Sequence, residues 1–188
     1  MMRSLVHIEA YAIVSEDGML TDAECNIPPP LKVDADQHFF ESGLDAVDIV
    51  VNGRNSQEQL SHSSARRRII VTGRVSTIAP VPSNSREVYW NPEGAPFEKA
   101  LAEFAAPNRS IAVIGGPRVF EFFLDLYDVF YLSRVANVRL PGGLPIFPGV
   151  PSRAPEAVLV DHGLDNPQHE VVDAARGLTI TAWQRSEI

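Results

Sequence analysis

Cysteine is almost absent from the 188-residue chain. Cys25 stands alone, which excludes an intrachain disulfide and any cysteine-built metal cluster and fits a reducing cytoplasm. No stretch of 18 uninterrupted apolar residues occurs, so no segment reads as a membrane span. The N-terminal MMRSLVHIEAYAIV lacks the apolar core and cleavage site of a signal peptide. Positive charge is also scarce: 16 Lys and Arg face 24 Asp and Glu, a formal net charge of −8. General affinity for nucleic acid or a membrane surface is therefore not expected, and any phosphate site must be local. The five histidines show no metal-ligand spacing. Soluble, cytoplasmic protein is the expectation, with a small molecule and, for assembly, a second copy of the chain as partners.

What the chain does contain is apolar surface. At 45% hydrophobic, 188 residues suffice for one well-buried domain spanning 1–188. Val6 to Val14 reads as an interior strand closed by the turn SEDG, Ser15 to Gly18. After the proline-rich NIPPPLK comes ADQHFFESGL, a short helix with Asp36 in its first turn, where the dipole favours a carboxylate, and Gly43 as its stop. VDIVVNG, RIIVTG and REVYW read as strands, and QEQLSHSSARRR as a short helix plus loop. APFEKALAEFAAP is a helix with Pro96 in its first turn. SIAVIGG is a strand, PRVFEFFLDL its proline-led helix, and DVFYLSRV a further strand. EAVLVDHG and LTITAWQR alternate well enough for a final antiparallel pair at one end of the sheet. Eight strands and about four helices give an α/β fold, helices flanking both faces of a mostly parallel sheet. In such sheets ligands bind outside the carboxyl ends of the strands, where Gly53, Thr72 and Gly115 all fall.

The glycine pair in SIAVIGGPRVFEFF admits two readings. A strand that turns sharply into a helix needs positive φ, which glycine supplies. Glycines also let backbone approach a ligand, with the following helix start facing a phosphate.

The order and spacing of AYAIVSEDGML, DADQHFFESGLDAVDIVVNGRNS, RRRIIVTGR, AVIGGPRVFEFFLDLYDVFYLSRV and LPGGLPIFPGV resemble the dihydrofolate reductase superfamily. Within it they look closest to the reductase domain of the bifunctional riboflavin-biosynthesis deaminase/reductase proteins. The resemblance implies a dihydrofolate reductase-like three-layer fold and hydride transfer from NADPH to a C=N or C=O of a small heterocycle. Gly115 and Gly116, with the N–H groups at Arg118 and Val119, would cradle the cofactor pyrophosphate. Gly53, Arg54 and Ser56 match the family's Gly-Arg strand end, which meets a cofactor phosphate. Thr72 and Arg74 lie where the family grips the adenosine 2′-phosphate, and a hydroxyl-arginine pair there favours NADPH over NADH. Ala12 and either Met19 or Leu20 would flank the nicotinamide. Asp36 would enter the substrate pocket as the catalytic, substrate-orienting acid, followed by Phe39 and Phe40, with Tyr11 and Ser133 also on the substrate side. The proton would arrive from solvent or from a hydroxyl such as Tyr11, Ser15 or Ser133.

Plainer readings stand beside these. Arg54 and Arg74 could be solvated surface charges, Asp36 only a helix-start acid, Phe39 and Phe40 core, and His38 structural. Arg66 to Arg68 read as a solvated run, and the glycines of LPGGLPIF as loop-shaping. Tyr11 stands where riboflavin-pathway reductases usually carry a lysine, and TDAECNIPPPLK replaces their longer substrate loop. No deaminase zinc motif is present. A folate reductase and a non-catalytic nucleotide-binding member of the fold remain the alternatives.

Overall fold

The computed structural model describes residues 6–57, 60, 62–105 and 109–186. In chain order the elements are β1 (Val6–Ser15), β2 (Met19–Thr21), α1 (Asp34–Ala46), β3 (Ile49–Gly53), β4 (Arg68–Val71), β5 (Ile78–Pro80), β6 (Glu87–Trp90) and α2 (Phe97–Ala102). They continue with β7 (Arg109–Val113), α3 (Pro117–Phe122), β8 (Val129–Val135), β9 (Leu144–Pro145), α4 (Pro155–Asp161), β10 (Asn166–Asp173) and β11 (Leu178–Gln184). Nine strands form one sheet in the order β10-β11-β8-β1-β7-β3-β4-β6-β5, and β2 pairs with β9 in a separate ribbon. From β8 to β6 every pairing is parallel; β11, β10 and β5 add antiparallel edges.

The two-residue period of the strands sorts the core onto both faces. Ala10, Val14, Ile49, Val51, Ile111 and Val113 point to one face, where Phe97, Phe120, Phe123 and Leu159 of the α2, α3 and α4 segments cover them. Tyr11, Val50 and Ala112 point to the other, where Leu44, Phe39 and Phe40 of α1 pack. Among the described residues no helix is long and apolar enough to cross a membrane.

Four expectations need correction. The sheet has nine strands rather than eight. EAVLVDHG is not a strand: Pro155, Val158 and Leu159 bury one helical face of α4. Gly163, at φ +81, then closes the helix, with the Leu164 N–H on the Leu159 carbonyl at 3.0 Å. The partner of β11 is instead β10, whose residues are mostly exposed, so no apolar alternation marks it. Gly43 does not stop α1, which runs on to Ala46; a Cβ there would lie 2.3 Å from the Tyr11 hydroxyl, so the glycine makes room for that ring. Arg66 to Arg68 are not a solvated run throughout: only Arg67 of the three is exposed. Arg68 is fully buried, donating from Nη1 to Asn52 Oδ1 at 2.6 Å with Glu87 3.6 Å from Nε, and Arg66 pairs with Asp45 at 2.7 Å. The helix expected in QEQLSHSSARRR falls partly on residues 58, 59 and 61, outside those described; within the rest of that segment Ser63–Ala65 form a 3-10 turn. The end of APFEKALAEFAAP likewise reaches residues 106–107, outside those described.

Candidate active-site cleft

The parallel strands β8, β1, β7, β3, β4 and β6 all end on one rim, and along that rim runs a cleft of ≈ 1620 Å³. Five strand intervals at ~4.8 Å make it about 24 Å long. Single small-molecule sites hold about 300–1,000 Å³, so there is room for two ligands side by side.

The β7-β3-β4 end is built from backbone. After β7 the chain reaches Gly115 at φ +106, followed by a cis peptide to Gly116. The Gly53 N–H donates to the Gly115 carbonyl at 2.6 Å. A Cβ on Gly53 would stand 3.4 Å from Val119 Cγ2 and 3.5 Å from the Gly116 nitrogen, and one on Gly116 would stand 3.1 Å from Ser56 Oγ. The three glycines therefore fit against one another and leave peptide surface, not side chains, facing the cleft. Around it stand Arg54, Arg74 and Arg118, all exposed and lining the cleft. None of the three guanidinium groups has a hydrogen bond or ion pair among the described residues. The Thr72 hydroxyl accepts from the Arg74 N–H at 3.2 Å, which fixes the loop after β4.

The β1-β8 end is built from side chains. Tyr11 and Tyr131 are register partners on adjacent strands and stack with centroids 4.8 Å apart. Phe39 stands 5.7 Å from Tyr11 and edge-on to Tyr131 at 5.3 Å, and Phe40 lies edge-on to Tyr11 at 6.1 Å. Asp36, in the first turn of α1, lines the cleft beside this wall. Burial pushes its carboxyl above the ordinary range, and a hydrogen bond donated by the buried Ser133 hydroxyl pulls partly the other way. Ala12 and Leu20 line the middle, with Leu144 of the β2-β9 ribbon.

Every residue singled out from the sequence as a site candidate thus lies on this one cleft, apart from two. Met19 is in the core at 3% exposure, leaving Leu20 as the lining residue. Ser15 is wholly buried, with its hydroxyl donating to Asp17 at 2.6 Å and accepting from the Met19 N–H. It is removed as a proton donor. Tyr11 contributes its ring, but its hydroxyl donates to Glu9 at 2.7 Å, and burial with the Glu9 carboxylate pushes its pKa far above the ordinary phenol range. That hydroxyl also lies against Gly43, two helical turns from Asp36. Of the three hydroxyls, that of Ser133 lines the cleft with Asp36 and acts on its carboxyl. Among the lining residues that the sequence does not single out are Tyr131, Phe122, Lys32 and Glu93. Tyr131 hides in an apolar strand pattern. Phe122 carries a readable signal, an aromatic one turn beyond Arg118; it is 48% exposed.

No family model matches the chain, and no curated protein sequence matches it. Solved structures do. A riboflavin biosynthesis protein from Shewanella sp. PV-4 superposes with a TM-score of 0.63 at 18% identity, over 96% of this chain and 99% of that one. A dihydrofolate reductase from Enterococcus faecalis, complexed with NADP(H), superposes at 0.61 and 15% identity, over 96% and 97%. The fold is dihydrofolate reductase-like. A deaminase/reductase from Thermotoga maritima superposes at 0.64 and 16% identity over 96% of this chain but 56% of its own. A dihydrofolate reductase-like sheet of this order brings the ends of β1, β3, β4 and β7 to one rim, which is what assembles the cleft.

Proposed function

We propose that the protein is an NADPH-dependent reductase of the riboflavin-biosynthesis type, acting on a C=N or C=O of a small heterocyclic substrate. The observation that carries this is the division of the cleft: uncommitted cations over glycine backbone at one end, an aromatic wall with one half-buried carboxylate at the other. A dinucleotide phosphate needs the first and a planar ring the second. The glycine surface supports a pyrophosphate here, since Gly53, Gly115 and Gly116 line the cleft with no side chain of their own. In this reading Gly115, Gly116, Arg118, Val119, Gly53, Arg54 and Ser56 hold the pyrophosphate region, and Thr72 and Arg74 the 2′-phosphate. Ala12 and Leu20 flank the nicotinamide.

The reduced nicotinamide supplies the hydride when bound. The chain's own residues do the rest. Phe39, Phe40, Tyr11 and Tyr131 exclude water and fix the plane of the substrate ring. Asp36 accepts hydrogen bonds from a ring N–H or amino group and stabilises positive charge as the substrate is protonated, while the Ser133 hydroxyl holds the carboxylate in place. The proton at the reduced centre comes from solvent, through Ser133 where a route is needed.

The test is NADPH oxidation followed at saturating cofactor with a pyrimidine substrate of the riboflavin pathway and, separately, with dihydrofolate. Turnover of the pyrimidine supports the proposal. Turnover of dihydrofolate alone moves the assignment to a folate reductase, the second reading, which an acid in the first turn of α1 lining the cleft, Asp36, favours. NADPH binding without turnover of either supports the non-catalytic alternative.

A further inference from the structure

The phosphate-reading end of the cleft carries a carboxylate as well as cations. Arg74 sits on the loop between β4 and β5, Glu93 on the loop between β6 and α2, and both line the cleft. These loops are stitched together. The Asn91 N–H donates to the Thr77 carbonyl at 2.7 Å and Asn91 Nδ2 to the Val75 carbonyl at 2.9 Å. Asn91 Oδ1 accepts from the Glu93 N–H at 3.0 Å, and the Thr72 N–H donates to the Trp90 carbonyl at 2.9 Å. At Gly94 the loops touch so closely that a Cβ would strike the Ser76 carbonyl. Arg74 and Glu93 are thus held on a common platform. Yet they form no ion pair with each other, and neither side chain has another partner among the described residues.

An unpaired arginine and an unpaired glutamate read opposite chemistry at a ribose. Arginine accommodates a 2′-phosphate, whereas a carboxylate accepts from a free 2′-hydroxyl and repels the phosphate dianion. We propose that Glu93 sets the cofactor preference of this cleft, weakening NADPH and admitting NADH, so that the preference conferred by Arg74 and Thr72 is held to a modest ratio. The inference rests on the dinucleotide reading of the cleft given above. Glu93 is exposed and its structural hydrogen bond is made by its backbone, so Glu93→Gln leaves the platform intact.

The experiment is a set of dissociation constants for NADPH and NADH, by calorimetry, with the unmodified chain, Glu93→Gln and Arg74→Ala. Glu93→Gln is expected to tighten NADPH ~5-fold, by removing a like charge beside the phosphate, and to leave NADH unchanged or weaker. Arg74→Ala is expected to weaken NADPH and spare NADH. An NADPH constant unmoved by Glu93→Gln, with the unmodified chain binding normally, overturns the role of Glu93 and leaves the dinucleotide reading standing. If the unmodified chain binds neither nucleotide, both fall together.

Discussion

The two ends of the cleft are made by different means. At the β7-β3-β4 end the surface is peptide backbone, exposed because Gly53, Gly115 and Gly116 pack within van der Waals reach of one another, with solvated arginines around it. At the β1-β8 end the surface is side chain: four aromatic rings and one carboxylate, drawn from β1, α1 and β8 and held by mutual contact. The first end can bind a charged chain of varied shape, because its contacts are N–H groups and long arginine side chains. The second end, its rings packed on one another, would select for shape. Changes at the first should alter affinity for the cofactor, and changes at the second turnover.

Gly116→Val gives the largest expected effect. Its Cβ already approaches Ser56 Oγ to 3.1 Å, so the branched chain must occupy the cleft, and NADPH affinity should fall ~100-fold or more while the chain stays folded. Calorimetric titration and a thermal melt of the same sample separate the two; unchanged affinity would return the glycine pair to a purely structural turn. Asp36→Asn should come next, lowering turnover ~100-fold with NADPH affinity nearly intact.

The same variant has a stability signature. The Asp36 carboxyl is raised by burial, so between its ordinary and its raised pKa the native chain holds more proton than the unfolded one. Its contribution to stability therefore falls as pH rises through that window. Asp36→Asn removes this slope and should melt at or above the unmodified chain at neutral pH. A melting point lowered by the change, with turnover intact, would mean that Asp36 is only a helix-start acid. The acid limb of the rate profile should lie above the usual carboxylate range for the same reason.

Arg74→Ala should weaken NADPH ~10-fold, the lower end of a charge-assisted contact of about 1.5–3 kcal/mol, and narrow the gap to NADH. The smallest effect is expected from Tyr11→Phe. Its hydroxyl faces Glu9, not the cleft, so the change should cost about 1 kcal/mol in urea denaturation and leave kcat within about twofold; a large loss of rate would make Tyr11 a proton donor after all.

The same contrast explains what the chain's sequence discloses. The backbone-built end is written in short contiguous strings, NGRNS and IGGPRV, because a glycine needed for close approach is needed at one place in the chain. The side-chain end depends on the register of Tyr11 against Tyr131 and on the proximity of Ser133 to Asp36, contacts across more than 90 residues that no local pattern announces. Tyr131 and the pairing of Ser133 with Asp36 emerge only once β8 is laid beside β1. Among the elements, the strongly apolar strands β1, β3, β4, β7 and β8 can be read directly. The exposed edge strand β10 cannot, and α4 imitates a strand because its apolar run AVLV has no distinguishing period; Pro155 at its start and Gly163 after it carry the helical signal.

The central claim is that the glycine-arginine end of the cleft is a dinucleotide site. It is tested most directly by thermal unfolding with and without NADPH, with Gly116→Val as the control. At a hundredfold excess over the dissociation constant, binding to the native state alone should add about 2.7 kcal/mol of stability, raising the melting temperature of the unmodified chain and adding at most about 0.4 kcal/mol to Gly116→Val. No NADPH-dependent shift in the unmodified chain, or an equal shift in both, would contradict it.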